Sequence, residues 1–497
     1  MTSHAADSSP ATNVARDDHA RDDHARDVSS RGDAARDDTA LDTLIVGAGA
    51  TGLAAAWTLA KRGQNVTLLE SNDQVGGNLH TERDGEWQIE HGPNTVIMKP
   101  PLYALLDELN LLGEAQPANA ESTKRFVVLN GQPVALPMKP LDALTSPIIG
   151  WRGWARLARE PFIARSTASE ETLAAFVSRR LGPRILGRMV DPFVSGVYAG
   201  DPARLSVQAA MPRLAAMEQE HRSLIIGGLK KMRQARRDPS PIPVEWRGKL
   251  VSFPQGLQRL TDRLAEGITA QPTATIQTGC EIRGIRREGE QWVVEDRNGR
   301  QWRARSLVLA VPAPVAAALL RPVDERLAKP LAAIAYPPVN AIALGFREQD
   351  IAHPLDGFGV LIPRAEKRRT LGALFSSTLF EGRAPAGHKL LNVFIGGRQS
   401  PEAAVGDDAT QVSRVLGDLR DLLGIRGEPV WQKVTRWPQA IPQYEVGHLG
   451  RIEALDDALR AYSGLHLAGN WRGGIAVGDC LENGRLLGEK LLAAEPS

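Results

Sequence analysis

The sequence predicts a mixed α/β fold in which one parallel sheet is assembled from separated stretches of chain. Three observations carry that reading. Between Leu44 and Glu70 an apolar run, a glycine-rich turn, a helix-like run and a second apolar run follow one another. From 141 to 245 the chain reads as mainly helical, and from 274 to 312 it alternates strand-like runs. After residue 465 the order strand, glycine turn, helix returns.

Leu44, Ile45 and Val46 are apolar throughout, as a parallel strand covered on both faces must be. Gly47, Gly49 and Gly52 follow in G-x-G-x-x-G spacing. A helix-like run from Leu53 to Lys61 leads to Gly63, which suits a helix end. The second apolar run, Val66 to Leu69, stops at Glu70. Each glycine has a physical role. Gly47 makes the turn, Gly49 admits a pyrophosphate against the backbone, and Gly52 lets helix and strand close up. Ala50 and Thr51 lie in the same cradle, where a helix N-terminus offers free N–H groups and a favourable dipole. Glu70 stands 18 positions after Gly52, where a carboxylate reaches the adenosine ribose hydroxyls. This is a Rossmann-like dinucleotide unit.

Gly76 and Gly77 come just after the acid, with Asn78 and Thr81 behind them. The pair resembles the second glycine pair of the flavin amine oxidase superfamily, which NAD-only enzymes usually lack. The resemblance implies FAD, with Ser71 and Asn78 among its contacts. It also sets Gly92, Pro93, Asn94 and Thr95 beside the flavin ring; the same residues make a Gly-Pro-Asn turn on composition alone.

At 497 residues the chain has room for two or three domains, and 42% hydrophobic residues supply a large core. No apolar run approaches the ~20 residues that cross a bilayer. A formal charge of +2 argues against a dedicated nucleic-acid binder. Cys280 and Cys480 have no paired spacing, which suits a reducing compartment and makes neither a disulfide framework nor a zinc site. Residues 1–40 carry five Arg against nine Asp and almost no large apolar side chain, so a disordered tail is expected. Its acids argue against an organelle transit peptide, and it has no apolar core for a secretory signal. His19 and His24 stand five apart with no third ligand, a poor metal site.

Residues 101–115 read as a helix. Lys124 to Leu129 read as a strand, Asn130-Gly131 as a hairpin turn, and the next residues as its second strand. Asn298-Gly299 reads as another hairpin turn. A helix read from Trp151 to Arg165 puts Trp151, Trp154, Ala158 and Phe162 on one face and Arg152, Arg156 and Arg159 on another. That fits an interfacial helix with aromatics toward lipid; it fits equally a surface helix with its tryptophans packed inward. Residues 230–249, basic and proline-rich, read as a solvated connection.

The stretch Asp191 to Leu214, DPFVSGVYAGDPARLSVQAAMPRL, is the most specific in the chain. It resembles the E/D-P-F-x-S-G-V-Y-A-G-D-P-x-x-L-S segment of oxygen-dependent protoporphyrinogen oxidases, especially those of chloroplasts and cyanobacteria. SLIIGGLK at 223–230, VSFPQGLQRLTDRL at 251–264, GFGVLIP at 357–363 and GALFSSTLFEGRAP at 372–385 agree, so the likeness covers nearly everything after residue 41. It implies FAD-dependent oxidation of protoporphyrinogen IX in heme and tetrapyrrole synthesis. Six electrons would leave in three rounds, with molecular oxygen as acceptor and peroxide as by-product. The flavin would carry the chemistry, so no catalytic side chain is named. Glu90, His91 and Asp191 are polar candidates near the motifs.

Position by position, the resemblance makes Arg125 the partner of a substrate propionate and sets Leu361 and Phe375 against the macrocycle; both lie in apolar runs and fit equally as core residues. It puts Ile282 at the adenine, Trp437 near the flavin, and Gly469, Asn470, Ile475, Ala476 and Val477 around flavin and pyrophosphate. It divides the chain into a tail (1–40), an FAD domain (41–115, 271–325, 431–497), a helical membrane-binding domain (116–230) and a substrate domain (231–270, 326–430). It implies a cytoplasmic protein held peripherally at the inner face of the cell membrane, and leaves a homodimer open. Three alternatives remain: a coproporphyrinogen oxidase, an amine oxidase or carotenoid desaturase on the same fold, and a non-catalytic flavoprotein.

Overall fold

Apolar on both faces, Leu41–Val46 forms an inner strand of a seven-stranded sheet, three residues longer at its start than expected. Val66–Leu69 lies parallel to it on one side and Gln301–Leu309 on the other. Ala274–Gln277 extends the sheet beyond Val66–Leu69, and Leu465–Leu467 pairs in parallel with Gln301–Leu309. Ile282–Glu288 and Gln291–Asp296 complete it as antiparallel strands. Three distant stretches thus build one sheet, as the sequence predicts. The computed structural model describes residues 41–138, 140–237 and 241–494. The expected disordered tail, with His19 and His24, lies outside them.

The opening helix spans Ala50–Ala60, so it begins at the glycine turn itself rather than at Leu53. The closing helix, Val477–Ala494, runs beside it. A Cβ on Gly484 would collide with Thr51 O, and one on Gly488 would lie 2.7 Å from Thr58 Cβ, so the two backbones touch. Gln258–Thr269 packs on the same core through Leu260, Leu264 and Ile268, although the sequence puts it in a substrate domain.

A second seven-stranded sheet has the order Trp431–Trp437, Val339–Arg347, His388–Gly396, Thr370–Leu374, Gly357–Leu361, Lys124–Leu129, Gln132–Ala135. Every pairing is antiparallel except that of Gly357–Leu361 with Lys124–Leu129. The expected hairpin 124–135 therefore forms, but in this sheet and not with the helices of 116–230. One face is covered by the helix Asp408–Leu423, with Phe126, Phe346, Phe375, Val415 and Leu419 in its core.

Between Pro140 and Arg237 the chain is helical, as expected. Its helices are joined by buried charge. Glu160 and Arg180 are fully buried; Glu160 accepts from Arg180 Nη1 at 3.2 Å and from Leu224 N at 2.9 Å, and Ser223 Oγ–H donates to it. Glu160 and Ser223 cap the helix Leu224–Arg237. That helix overturns the reading of residues 230–237 as linker: Lys and Arg propagate a helix well once its start is fixed. The amphipathic helix also differs from expectation, ending at Arg159 with one further turn, Glu160–Phe162. Trp151 is 76% and Phe162 88% exposed, but Trp154 turns inward and its Nε1–H donates to Ala143 O at 3.1 Å. The four residues expected on one face are split.

Candidate functional site

The turn after the first strand is held by its own acid. Glu70 is 4% exposed; its Oε2 accepts from Ala48 N at 2.8 Å and its Oε1 from Asn72 N at 3.0 Å. Ser71 Oγ–H also donates to Oε1, at 3.0 Å. The carboxylate therefore fastens the glycine turn to the end of the second strand. Gly47 takes φ +102°, a conformation open to glycine at little cost. A Cβ on Gly52 would collide with Gly47 O, whereas a Cβ on Gly49 would meet no protein atom within 4 Å. Gly49 alone of the three borders open space. Gly76 lies against it: Gly76 N donates to Ala48 O at 2.8 Å, and Gly77 backs onto Gly49. The Gly279–Ile282 segment reaches the same place, with Cys280 N donating to Glu70 O at 2.8 Å.

The opening and closing helices run in the same direction: Gly484 packs on Thr51 and Ala54, and Gly488 on Ala55 and Thr58, so the closing helix begins about one turn before the opening one. Both helices therefore turn their positive ends to the same side of the sheet, and that of the opening helix lies beside Gly49. Gly469–Val477 supplies the approach to the second helix. Two tyrosines that sequence reading missed hold it. Tyr444 Oη donates to Asn470 O at 2.6 Å and accepts from Gly474 N at 3.0 Å. Tyr336 Oη reaches Asn470 Oδ1 at 3.3 Å. Burial pushes both phenols well above their usual range, so both stay neutral donors. Neither lies in a glycine-rich motif, so no local signal marks them.

The Gly92–Thr95 loop is pinned from the second sheet. Trp437 Nε1–H donates to His91 O at 2.9 Å, and Asn392 Nδ2 donates to Glu90 O at 3.2 Å and Asn94 Oδ1 at 3.4 Å. A Cβ on Gly92 would collide with Asn78 O, which brings Asn78 to the loop. The three polar candidates are occupied elsewhere. His91 is stacked on His80 and bonded to Glu82 and Thr435, and burial holds its imidazole below the usual range. Glu90 faces buried Arg383 at 3.4 Å, and burial pushes its carboxyl up. Asp191 accepts from Arg364 N and Gln399 Nε2, each at 3.1 Å.

Arg125 and Leu361 lie on paired strands. Arg125 is half-buried on Lys124–Leu129 with its guanidinium 5.3 Å above the Phe358 ring. Leu361 pairs with Val127 and fills the space in front of Gly196, in the helix Asp191–Tyr198. Phe375 does not join them. It is fully buried with Phe126, centroids 6.4 Å apart, in the core under the Asp408–Leu423 helix. Of the two readings of Phe375, the core one holds: it stands between the strand Thr370–Leu374 and the short helix Ser376–Leu379 and turns into the core rather than toward Leu361.

A dinucleotide fits this framework: the open space at Gly49, a helix end for its pyrophosphate, and an acid at the end of the second strand. Tyr444→Phe removes a donor and an acceptor from the loop leading to the second helix. At about 1 kcal/mol for each lost bond, FAD affinity should fall roughly tenfold or more, measured by titrating apoprotein. Unchanged affinity would free the loop from Tyr444.

Residues 50–487 match the family described as flavin containing amine oxidoreductase. Protoporphyrinogen oxidase 2 of Arabidopsis thaliana, chloroplastic/mitochondrial, is 32% identical over 470 residues, covering 88% of this chain and 91% of the relative. Coproporphyrinogen III oxidase of Bacillus subtilis is 28% identical over 459 residues, covering 89% and 96%. A crystal structure of a candidate protoporphyrinogen oxidase from Exiguobacterium sp. 255-15 superposes with TM-score 0.77 at 24% identity, covering 92% of this chain and all of that one. With the glycine cradle, the helix end beside it and this family match across most of its length, the chain belongs to the flavin-containing amine oxidoreductases and is an FAD-dependent oxidoreductase.

Proposed function

We propose that this chain oxidises protoporphyrinogen IX to protoporphyrin IX, with molecular oxygen as the final electron acceptor. The supporting observation is Arg125: a half-buried guanidinium with no ion-pair partner among the described residues, on the strand that pairs with Leu361's strand in the second sheet. An apolar surface with one cation suits a large apolar ring bearing carboxylates at one edge. FAD, when bound, supplies a two-electron acceptor, so a six-electron oxidation takes three turnovers. The protein's own part is placement. Arg125 would hold a carboxylate, Leu361 the ring, and the pinned Gly92–Thr95 loop would fix the flavin-side wall.

Coproporphyrinogen III is the second reading, favoured by the Bacillus subtilis relative and the 96% of its length that is covered. Its four carboxylates call for further cations besides Arg125. Aerobic formation of fluorescent porphyrin from each substrate separates the two: the proposal requires the higher kcat/KM for the dicarboxylate.

We also propose that the helical segment docks on a membrane from the cytoplasmic side. Trp151, Phe162, Leu144 and Met232 are exposed apolar side chains within it, and Arg152 and Arg159 stand beside Trp151 and Phe162. Among the described residues no helix is long and apolar enough to cross a membrane. Trp151→Ser/Phe162→Ser should cosediment with anionic vesicles at least about tenfold less than wild type, since each buried aromatic contributes roughly 1.5–3 kcal/mol. Equal recovery would remove this face from the membrane.

A further inference from the structure

Between the second sheet and the flavin-side loop lies a small cavity lined by Gln88, Glu90, Asn94, Ser376, Arg383 and Asn392, closed by apolar neighbours such as Leu379 and Leu390. Four side-chain atoms of this lining are buried without a hydrogen-bond partner: Gln88 Nε2, Ser376 Oγ, Arg383 Nη1 and Asn392 Oδ1. Their orientation is set by bonds on the other side. Gln88 Oε1 accepts from Arg83, which turns Gln88 Nε2 inward as a donor. Asn392 Nδ2 donates to Glu90 O and Asn94 Oδ1, which turns its Oδ1 inward as an acceptor. Arg383 Nη2 donates to Ser252 Oγ at 2.8 Å, and its Nη1 lies 3.4 Å from Glu90 Oε1 without a hydrogen bond. Glu90 takes hydrogen bonds from Thr81 Oγ1 and Leu257 N and is ion-paired with Arg383.

Leaving three buried polar atoms without a partner, beside an Arg383 Nη1 held only by its long ion pair to Glu90, costs more than the net value of a hydrogen bond. They stand around one void, with room for about one water molecule. Two are obligate donors, one is an obligate acceptor, and the Ser376 hydroxyl serves as either. That set matches the two lone pairs and two hydrogens of one water. It rejects a halide, because the Asn392 carbonyl oxygen would face the anion.

We propose that this cavity is a built site for one resident water, which joins Gln88 and Arg383 to Ser376 and Asn392. The water fixes Asn392, Asn392 holds Asn94 and Glu90 O, and the Gly92–Thr95 loop is thereby kept in place against FAD. Gln88, Ser376, Arg383 and Asn392 are positioning residues in this scheme. It does not depend on which porphyrinogen is oxidised.

The test is a crystal structure of the FAD-loaded wild-type enzyme at a resolution that shows ordered solvent. One solvent peak about 2.7–3.2 Å from all four atoms is expected. A dry cavity with the four groups re-paired among themselves would overturn the site, as would an anomalous halide peak. Ser376→Val fills the void and should expel the water. FAD release from that variant, followed by flavin fluorescence without substrate, should be about fivefold faster than from wild type. Ser376→Ala, which keeps the water with three partners, should fall between them. Wild-type release rates for Ser376→Val, with the water shown to be gone, would refute the positioning role.

Discussion

Gly49→Val yields a folded protein that purifies without its yellow cofactor. The structure makes this substitution unusually selective. Gly49 has φ −75°, which any residue accepts, and a Cβ there meets no protein atom. The Cβ therefore strains nothing in the apoprotein, and the side chain grows into the open space assigned to the pyrophosphate. Overpacking of this kind costs about 1–3 kcal/mol or more, so FAD affinity should fall at least about tenfold to a hundredfold. Absorbance of the purified protein and thermal unfolding of the apoprotein check the two halves. A fully yellow variant would contradict the cradle. Gly52→Val is the control: its Cβ would collide with Gly47 O, so that variant should fail to fold rather than merely lose flavin.

Arg125→Ala lowers kcat/KM for protoporphyrinogen by about one to two decades and leaves flavin content unchanged. A charge-assisted hydrogen bond contributes about 1.5–3 kcal/mol. The contact to a propionate would exist before and during oxidation, so the loss should appear mostly in KM. Arg125→Lys should recover only part, because an ammonium lacks the planar fork that binds a carboxylate bidentately. An unaltered KM in Arg125→Ala would remove Arg125 from the site.

What the sequence made legible was local. The Leu41–Glu70 unit, the Lys124–Ala135 hairpin and the closing strand, turn and helix each declare themselves through periodicity and glycine placement within about 30 residues. The second sheet did not, because its neighbours are set by contacts between distant strands. Trp431–Trp437 pairs with Val339–Arg347, and Gly357–Leu361 with Lys124–Leu129. Phe375 shows the cost: its apolar run predicts burial, but the turn from the strand Thr370–Leu374 into the helix Ser376–Leu379 decides what it is buried against. The Leu224–Arg237 helix was hidden for a related reason, since Glu160, one of its two capping residues, lies 64 positions before Leu224. Tyr336, Tyr444, Arg383 and Asn392 act at the site through partners far away in sequence, and nothing in their own neighbourhoods distinguishes them from packing residues.

The central claim, that the bound flavin takes electrons from a porphyrinogen, is tested most directly by anaerobic rapid mixing of the purified yellow protein with protoporphyrinogen IX, and separately with coproporphyrinogen III. The account predicts that the oxidised flavin absorbance bleaches with protoporphyrinogen, faster than with coproporphyrinogen, and returns when oxygen is admitted. A flavin that stays oxidised in the presence of both porphyrinogens would contradict it.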